Sequence, residues 1–354
     1  MVPPVLYCAV YAGLCCPGQA SSIPVWQSKG RISIQLNVNK NVPGLISLLF
    51  LLVSNIIKDK SFKEAHMMIW IAIILGLTQG LCEFLPVSSS GHLVLLHTIF
   101  GIEEGAMFFT VMLHVGTLIA VFAVYWRQIW EIIRSIGRFL KLLFTGRFKE
   151  LKAYMHTPIQ KKIGLLIAAT VITTLMAVLF KDFFTEAFEG AFLGIGFLFT
   201  SAVLLMMNSF SKHGSRRSAL RIPGAIGVGF MQGIAILPGV SRSGSTIAGA
   251  TFFGLKKQEA AEFSFLLSIP AILGSLILQV PDIVETGVAN IEWMPVIIGM
   301  AAAAVSGYLA IKLMIRLVVK KNLNAFAIYT ALLGILVLLD QFVFHQFFTN
   351  PFLA

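Results

Sequence analysis

An apolar segment of the chain is interrupted at residues 79–93, which read QGLCEFLPVSSSGHL. A second interrupted segment lies 153 positions further on, and the two can be superimposed without a gap. The matched pairs are Gln79-Gly80 with Gln232-Gly233, Val87-Ser88 with Val240-Ser241, Ser90-Gly91 with Ser243-Gly244, and Phe100-Gly101 with Phe253-Gly254. A constant register over this length indicates an internal repeat.

The composition is that of a membrane protein. Hydrophobic residues make up 57% of the 354 residues and charged residues only 12%, with a mean hydropathy of +0.86, whereas soluble domains carry about 25% charged residues. Several apolar runs are long enough for a transmembrane helix, which needs about 20 residues. They are Phe108–Trp126, Ile163–Phe180, Ala191–Asn208, Phe263–Val280, Met294–Ile315 and Phe326–Phe344. The sequence therefore predicts six spans.

The basic residues lie between the apolar runs rather than on one aromatic-rich face. The chain has a net charge of +11, and nine lysines and arginines fall between Arg127 and Lys162. This pattern follows the positive-inside rule, so we expect no nucleic acid partner. The loop after Trp126 is then predicted to be cytoplasmic and the C-terminus to lie outside.

Proline and glycine at membrane depth free backbone groups that lipid cannot satisfy, so a break there requires surrounding protein or a lined cavity. We interpret both broken segments as re-entrant helical hairpins, each followed by three transmembrane helices. Because three is odd, the hairpins enter from opposite sides and their turns meet near the midplane. The predicted fold is an all-α polytopic membrane protein with an inverted-topology repeat.

This repeat divides the chain into four segments. Residues 1–66 form an N-terminal extension to which no role is assigned, residues 67–208 the first repeat, residues 209–222 a cytoplasmic linker, and residues 223–354 the second repeat.

Polar residues crowd around the first break, and buried polar groups within a membrane are functional candidates because burying them is costly. They are Gln79, Glu83, Ser88, Ser89, Ser90 and His92. Gln79 and Glu83 are four positions apart on one helix face, so their oxygens could converge on Mg²⁺ or Ca²⁺. The alternative is a hydrogen-bonded helix pair.

The serine run opens the returning half-helix, where unpaired amides and the positive dipole end suit phosphate oxygens. A serine run is also an ordinary helix cap. His92 lies three residues after Ser89, and a serine with a histidine has the parts of a nucleophile and its base.

The second break carries Ser241, Arg242, Ser243 and Thr246. An arginine in an apolar segment needs an anion, and a guanidinium matches phosphate bidentately. The alternative is an Arg242–Glu83 salt bridge, and both could hold. His114, in the first span, is close enough in sequence to reach the site, although a lone histidine more often donates to a backbone carbonyl.

These two segments, residues 79–93 and residues 238–246 (PGVSRSGST), resemble the signature motifs of the undecaprenyl-diphosphate phosphatase family, the bacitracin-resistance phosphatases. The resemblance implies metal-dependent hydrolysis of undecaprenyl diphosphate to the monophosphate carrier of peptidoglycan assembly, and with it bacitracin resistance. It also implies a bacterial inner (plasma) membrane location, with the site open to the extracytoplasmic side.

The resemblance assigns roles by motif position. Gln79 and Glu83 belong to the acidic, metal-binding motif, Ser89 and His92 to the catalytic turn, with Ser88 and Ser90 beside them, and Ser241, Arg242, Ser243 and Thr246 to the diphosphate-binding turn. Since position 79 is Gln rather than Glu, Glu83 carries more of the predicted cation site. The expected partners are a polyprenyl diphosphate lipid and the bilayer, and a homodimer is left open as the assembly.

Two other functions compete with this reading. Inverted repeats with paired hairpins are a transporter architecture, so a transporter or lipid flippase is the main alternative. A second group of membrane lipid phosphatases also contains SGH and SR, but its pattern needs a histidine shortly after SR, and residues 243–251 contain none. A structural membrane protein without a site is a third possibility, but it would bury Glu83, His92 and Arg242 at a cost in free energy that no function explains.

Overall fold

The computed structural model describes residues 60–102, 106–187, 192–213, 220–286, 292–320, 323–344 and 348. These ranges are helical apart from short turns, which confirms the predicted all-α class. The helices are α1 Lys60–Phe84, α2 Ser89–Phe100, α3 Ala106–Phe144, α4 Phe148–Met155, α5 Pro158–Leu179, α6 Lys181–Ala187, α7 Leu193–His213, α8 Ile222–Ile234, α9 Arg242–Phe252, α10 Lys257–Thr286, α11 Trp293–Lys320 and α12 Asn324–Leu339, which continues as a π-helix over Asp340–Phe344.

Five helices are long and apolar enough to cross a membrane, namely α3, α5, α10, α11 and α12. They coincide with five of the six predicted spans. The sixth prediction corresponds to α7, which is helical over Leu193–His213, but its described apolar stretch, Leu193–Met207, is shorter than the others. The chain is a multi-pass membrane protein.

Both predicted breaks are present, and each is followed by a helix that a serine caps, although the caps Ser88 (φ 72°) and Ser241 (φ −73°) differ in backbone conformation. The first separates α1 from α2 and the second separates α8 from α9. Ser88 caps α2 by accepting a hydrogen bond from the Gly91 amide at 3.3 Å, and Ser241 caps α9 by accepting one from the Gly244 amide at 3.1 Å. These caps lie 153 positions apart, at matched positions of the ungapped repeat.

The two halves pack against each other reciprocally. The first hairpin helix of each half contacts the second spanning helix of the other half, so that α1 packs on α11 and α8 on α5. In the same way, α3 packs on α11 and α10 packs on α5. Two further contacts join equivalent spans of the two halves, α3 with α10 and α7 with α12. Such exchange of partners is what a two-fold relation between the halves produces. Their opposite orientation in the membrane stays a prediction.

Glycines allow these helices to approach closely. A Cβ at Gly80 of α1 would lie 2.0 Å from the Ser306 hydroxyl oxygen of α11, and one at Gly229 of α8 would lie 2.4 Å from the Ala169 carbonyl oxygen of α5. Small residues are the usual means of close helix packing in membranes, where no hydrophobic drive brings helices together. The α1–α11 and α5–α8 contacts therefore depend on these glycines.

Of the predicted segments, residues 1–59 of the N-terminal extension and residues 214–219 of the linker lie outside the described residues. The boundaries of the two repeats stay predictions.

Gly80→Ala should lower the midpoint of thermal unfolding in detergent, because the added methyl group overlaps Ser306 and the Ala303 carbonyl. Overpacking of this kind costs about 1–3 kcal/mol. The matched control is Gly164→Ala, since a Cβ at Gly164 of α5 meets nothing within 4 Å. Equal midpoints for the two variants would contradict the close α1–α11 packing.

Candidate active site

The two broken turns contact each other directly, as predicted. A Cβ at Gly91 would lie 2.9 Å from the Gly239 Cα, and the Ser243 hydroxyl donates to the Leu85 carbonyl at 3.1 Å. Gly239 has φ of 85°, in the left-handed region that favours glycine. Without a side chain at either glycine, the N-termini of α2 and α9 come together in one place.

Thr200 of α7 holds the second turn in place through two hydrogen bonds to its backbone. Its hydroxyl donates to the Gly239 carbonyl at 2.9 Å and accepts from the Ser241 amide at 2.8 Å. A buried hydroxyl that both donates and accepts satisfies two backbone groups that the break would otherwise leave unpaired. Sequence reasoning missed Thr200, because a single threonine in an apolar span carries no motif.

Glu83 is the centre of the site. Arg242 donates Nη2–H to Oε1 of this carboxylate, and Oε2 accepts from the Ser89 hydroxyl at 2.6 Å and from Gln79 Nε2 at 2.9 Å. His114 Nε2 lies 3.7 Å from the same oxygen. The structure thus brings together four of the residues singled out in the sequence around one buried carboxylate.

The Arg242–Glu83 ion pair is the alternative that the sequence left open, and it leaves part of the guanidinium available. Arg242 Nη1 is buried and has no hydrogen-bond partner in the described part of the chain. An unpartnered buried donor of a charged group costs free energy. Nη1 is therefore ready to donate to an anionic oxygen while Nη2 remains bound to Glu83.

His92 is not hydrogen bonded to Ser89, the pairing that the sequence suggested. Its Nδ1 lies 2.7 Å from the Ser88 carbonyl oxygen, and its Nε2 lies 2.6 Å from the Tyr329 hydroxyl. Because a carbonyl oxygen only accepts, Nδ1 carries a proton, and Nε2 of the neutral ring accepts from Tyr329. The reason is that His92 lies four positions after Ser88, so its ring forms a hydrogen bond with the backbone carbonyl one turn earlier in the same helix.

Tyr329 of α12 is a second residue that the sequence did not reveal. Its ring also stacks on the His92 ring, with centroids 5.7 Å apart and planes 17° from parallel. No motif surrounds it, and 237 positions separate it from His92. The reciprocal packing of the two halves brings it to the first hairpin.

The remaining predicted residues surround the cluster at different depths. The Ser88 and Ser90 hydroxyl oxygens are 3.4 Å apart, and those of Ser241 and Ser243 are 3.3 Å apart. Thr246 lies deeper, fully buried, with its hydroxyl 2.6 Å from that of Ser264 in α10. The structure therefore brings the serines to the meeting of the turns and leaves Thr246 behind them.

His114 combines both of the roles considered for it. Its Nδ1 lies 2.8 Å from the Thr110 carbonyl oxygen, to which it donates. That hydrogen bond directs the opposite nitrogen at Glu83.

The residues around Glu83 are compatible with a hard cation. Gln79 Oε1 is buried and has no partner among the described residues, so an oxygen ligand lies unused one helical turn from the carboxylate. Oxygen donors of this kind suit Mg²⁺ and Ca²⁺. The described residues include no group of three acidic, histidine or cysteine ligands, so a cation here would draw further oxygens from hydroxyls, water or a bound phosphate.

The arrangement is suited to a phosphate group. The N-termini of α2 and α9 come together at the contact of the two turns, and the first amides of a helix have no acceptor within it. Arg242 adds a charged donor, and serine hydroxyls from both turns add neutral ones. A hydroxyl that donates to a carboxylate, as Ser89 does to Glu83, has the geometry of an activated nucleophile.

Comparison with known proteins shows the family of this chain. Residues 72–336 match the family model described as bacitracin resistance protein BacA. An undecaprenyl-diphosphatase of Carboxydothermus hydrogenoformans is 42% identical over 273 residues, which cover 76% of this chain and 96% of that protein. Similar proteins of the same name occur in Methanosphaera stadtmanae, at 39% identity over 76% of this chain and 96% of the relative, and in Halothermothrix orenii, at 35% over 78% and 100%.

The matched residues include both broken turns and the spans that bring Thr200 and Tyr329 to them. This chain therefore belongs to the BacA family of bacitracin-resistance proteins.

Proposed function

We propose that this chain hydrolyses undecaprenyl diphosphate to undecaprenyl phosphate and inorganic phosphate. The single observation that carries the proposal is the buried, unpartnered Nη1 of Arg242 at the meeting of two helix N-termini. It supplies a charged donor for the terminal phosphate of a lipid diphosphate. The product is the lipid carrier used in peptidoglycan synthesis, and restoring it confers resistance to bacitracin.

In the proposed reaction the polyprenyl tail stays in lipid and the diphosphate enters the polar cluster. Arg242 Nη1, the first amides of α2 and α9, and the hydroxyls of Ser88, Ser90, Ser241 and Ser243 bind its oxygens. Thr246 supports this turn from behind through Ser264. Preorganised charge of this kind is the main source of catalysis in phosphoryl transfer.

Ser89 attacks the terminal phosphorus, and its proton passes to Glu83, to which the hydroxyl already donates at 2.6 Å. The bond from phosphorus to the bridging oxygen breaks, and undecaprenyl phosphate leaves. Water then attacks the phosphoserine and gives a proton to His92, which is hydrogen bonded to Tyr329. The bond from phosphorus to Ser89 Oγ breaks, phosphate leaves, the serine regains its proton from Glu83, and His92 releases its proton to water.

We further propose that Glu83 and Gln79 hold a divalent cation, Mg²⁺ or Ca²⁺. A bound cation would neutralise charge on the phosphate oxygens. The unused Gln79 Oε1 supports this proposal.

The proposed location is the bacterial plasma (inner) membrane, with the site open to the extracytoplasmic side. The positive-inside pattern supports it, because the basic segment that follows the first span puts the opposite end of that span outside. A homodimer stays open as the assembly.

Glu83→Gln and Arg242→Lys should each lower kcat/KM for phosphate release from a long polyprenyl diphosphate by about 100-fold or more, because they remove the carboxylate and the bidentate donor. Activity would be measured on purified protein in detergent. The control is the exposed Arg147–Glu150 ion pair, changed to Arg147→Lys and Glu150→Gln.

Removing one partner of a buried ion pair also costs about 3–5 kcal/mol of stability. Size-exclusion profiles and unfolding midpoints therefore accompany the kinetics. A folded wild type that releases no phosphate would contradict the proposed hydrolysis and favour the transporter or flippase alternative.

Ser89→Ala should lower kcat by about 1,000-fold or more with little change in KM, because the nucleophile is lost while the phosphate donors remain. Ser275→Ala is the control outside the site, since the Ser275 hydroxyl donates to the Ile272 carbonyl of its own helix α10. Rapid quenching with substrate labelled at the terminal phosphate should yield phosphoserine at residue 89. Label trapped on another residue would refute Ser89 as the nucleophile.

Gln79→Leu should raise the Mg²⁺ or Ca²⁺ concentration needed for half-maximal activity about tenfold or more, and Gln79→Glu should lower it, because the two changes remove or charge an oxygen ligand. Gln232→Leu is the control at the matched position of the second repeat, where Oε1 is likewise unpartnered among the described residues but Nε2 donates to the Thr173 hydroxyl instead of a carboxylate. Full activity in excess chelator would exclude the cation.

A further inference from the structure

Helix α3 is longer than a membrane requires. It has 39 residues, about 58 Å at 1.5 Å per residue, whereas the hydrocarbon core is about 30 Å thick. Its helical geometry is interrupted at Tyr125, with φ of −106° and ψ of 20°. We call residues 126–144, which follow this kink, the α3 extension.

The basic residues of the α3 extension share one face. Arg127, Arg134, Arg138 and Lys141 follow one another at spacings of seven, four and three, which places them in one row along the helix. Within the described ranges none of the four pairs with a carboxylate. Glu131 lies in the same row, four positions after Arg127 and three before Arg134, so this basic strip carries four cations and one carboxylate, a net charge of +3.

A neighbouring face of the same extension is apolar and exposed. Its side chains recur at helical spacing and end in Phe144, which is 83% exposed. They are Trp126, Trp130, Ile133, Leu140 and Phe144. Large exposed apolar residues beside a basic strip are the pattern of a helix that lies at a membrane surface.

The third face anchors the extension to the protein. Ser135 and Leu142, seven positions apart, are buried, and the Ser135 hydroxyl lies 2.8 Å from that of Tyr154 in α4 and accepts from Gln160 of α5 at 3.0 Å. The extension is thus held in a fixed rotation, and its other two faces remain open.

Aromatic rings position two of the guanidinium groups. The Arg134 guanidinium lies 5.1 Å from the centre of the Trp130 ring, and that of Arg138 lies 4.8 Å from the centre of the Tyr154 ring. Tryptophan and tyrosine favour the level of the lipid headgroups. The guanidinium groups of Arg134 and Arg138 are therefore expected at the level of the headgroups, beside the apolar face that would enter the hydrocarbon.

We propose that the α3 extension is a binding surface for anionic phospholipid headgroups, on the membrane face that the positive-inside rule makes cytoplasmic. The basic strip binds the phosphates and the apolar face enters the acyl region. Charge complementarity favours this occupant, since each lysine or arginine near an anionic membrane raises partitioning about fivefold. Nucleic acid fits less well, because it would leave Ile133, Leu140 and Phe144 in water.

Brominated lipids can test this surface, because Trp126 and Trp130 lie on it. The other three tryptophans, Trp26, Trp70 and Trp293, are replaced by phenylalanine, and the protein is reconstituted in phosphatidylcholine vesicles. Brominated phosphatidylglycerol should quench the fluorescence about twofold more than brominated phosphatidylcholine at the same mole fraction. High salt should reduce this ratio.

In the triple variant Arg134→Gln/Arg138→Gln/Lys141→Gln, the ratio of quenching by brominated phosphatidylglycerol to quenching by brominated phosphatidylcholine should fall close to one. The loss of Arg134 also changes the environment of Trp130, but that change affects quenching by both lipids alike and leaves the ratio unchanged. The matched control removes three exposed charges elsewhere, Arg221→Gln/Lys256→Gln/Arg316→Gln, and should keep the wild-type ratio. A ratio of one in wild type, or an unchanged ratio in the first triple variant, would overturn the proposal.

Fluorescence anisotropy with a single-stranded RNA oligomer is measured on the same proteins. RNA binding that the first triple variant loses, without enrichment of phosphatidylglycerol, would overturn the proposal in favour of a nucleic acid surface. Because lipid quenching and phosphate release are separate measurements, either proposal can fail without the other.

Discussion

The ion pair between Glu83 and Arg242 is the interaction on which the arrangement of the site depends. It joins the end of α1 to the start of α9, and so the first half of the chain to the second. Among the described residues no other carboxylate, lysine or arginine lies within 4 Å of either charge, and a buried charge left alone would cost several kcal/mol. The two turns are therefore held together by a pair that neither half could form by itself, and hydrogen bonds to Ser89 and Gln79 complete the shell of the carboxylate.

Close packing of small residues makes that ion pair geometrically possible. Gly91 and Gly239 let the two turns come into backbone contact, and Gly80 lets α1 lie directly on α11. Serine side chains at matched positions cap α2 and α9, each accepting from the amide three residues on. The repeat thus brings two helix N-termini together, while the residues that differ at the next matched position, Ser89 in one copy and Arg242 in the other, both donate to Glu83.

Much of this organisation could be predicted from the sequence. The ungapped repeat, the broken hairpins and the meeting of their turns follow from the positions of Pro, Gly and Ser, because few structures tolerate such residues within apolar segments. Spacing along one helix could not give the hydrogen bonds. Ser89 and His92 are neighbours in sequence, yet Ser89 bonds to Glu83 and His92 to Tyr329. Thr200 and Tyr329 come from spans without any motif, and only the packing of one half on the other selects them.

The way Glu83 is coordinated also bears on what can enter the site. A carboxylate facing the pocket would repel a diphosphate, but here its charge is balanced by Arg242 and its second oxygen is occupied by donors. What remains available in the described cluster is a guanidinium donor, Nη1, and an amide oxygen, Gln79 Oε1. The guanidinium donor suits an anion and the amide oxygen suits a cation, so the proposed lipid diphosphate and the proposed divalent cation would each find one unused group in this cluster.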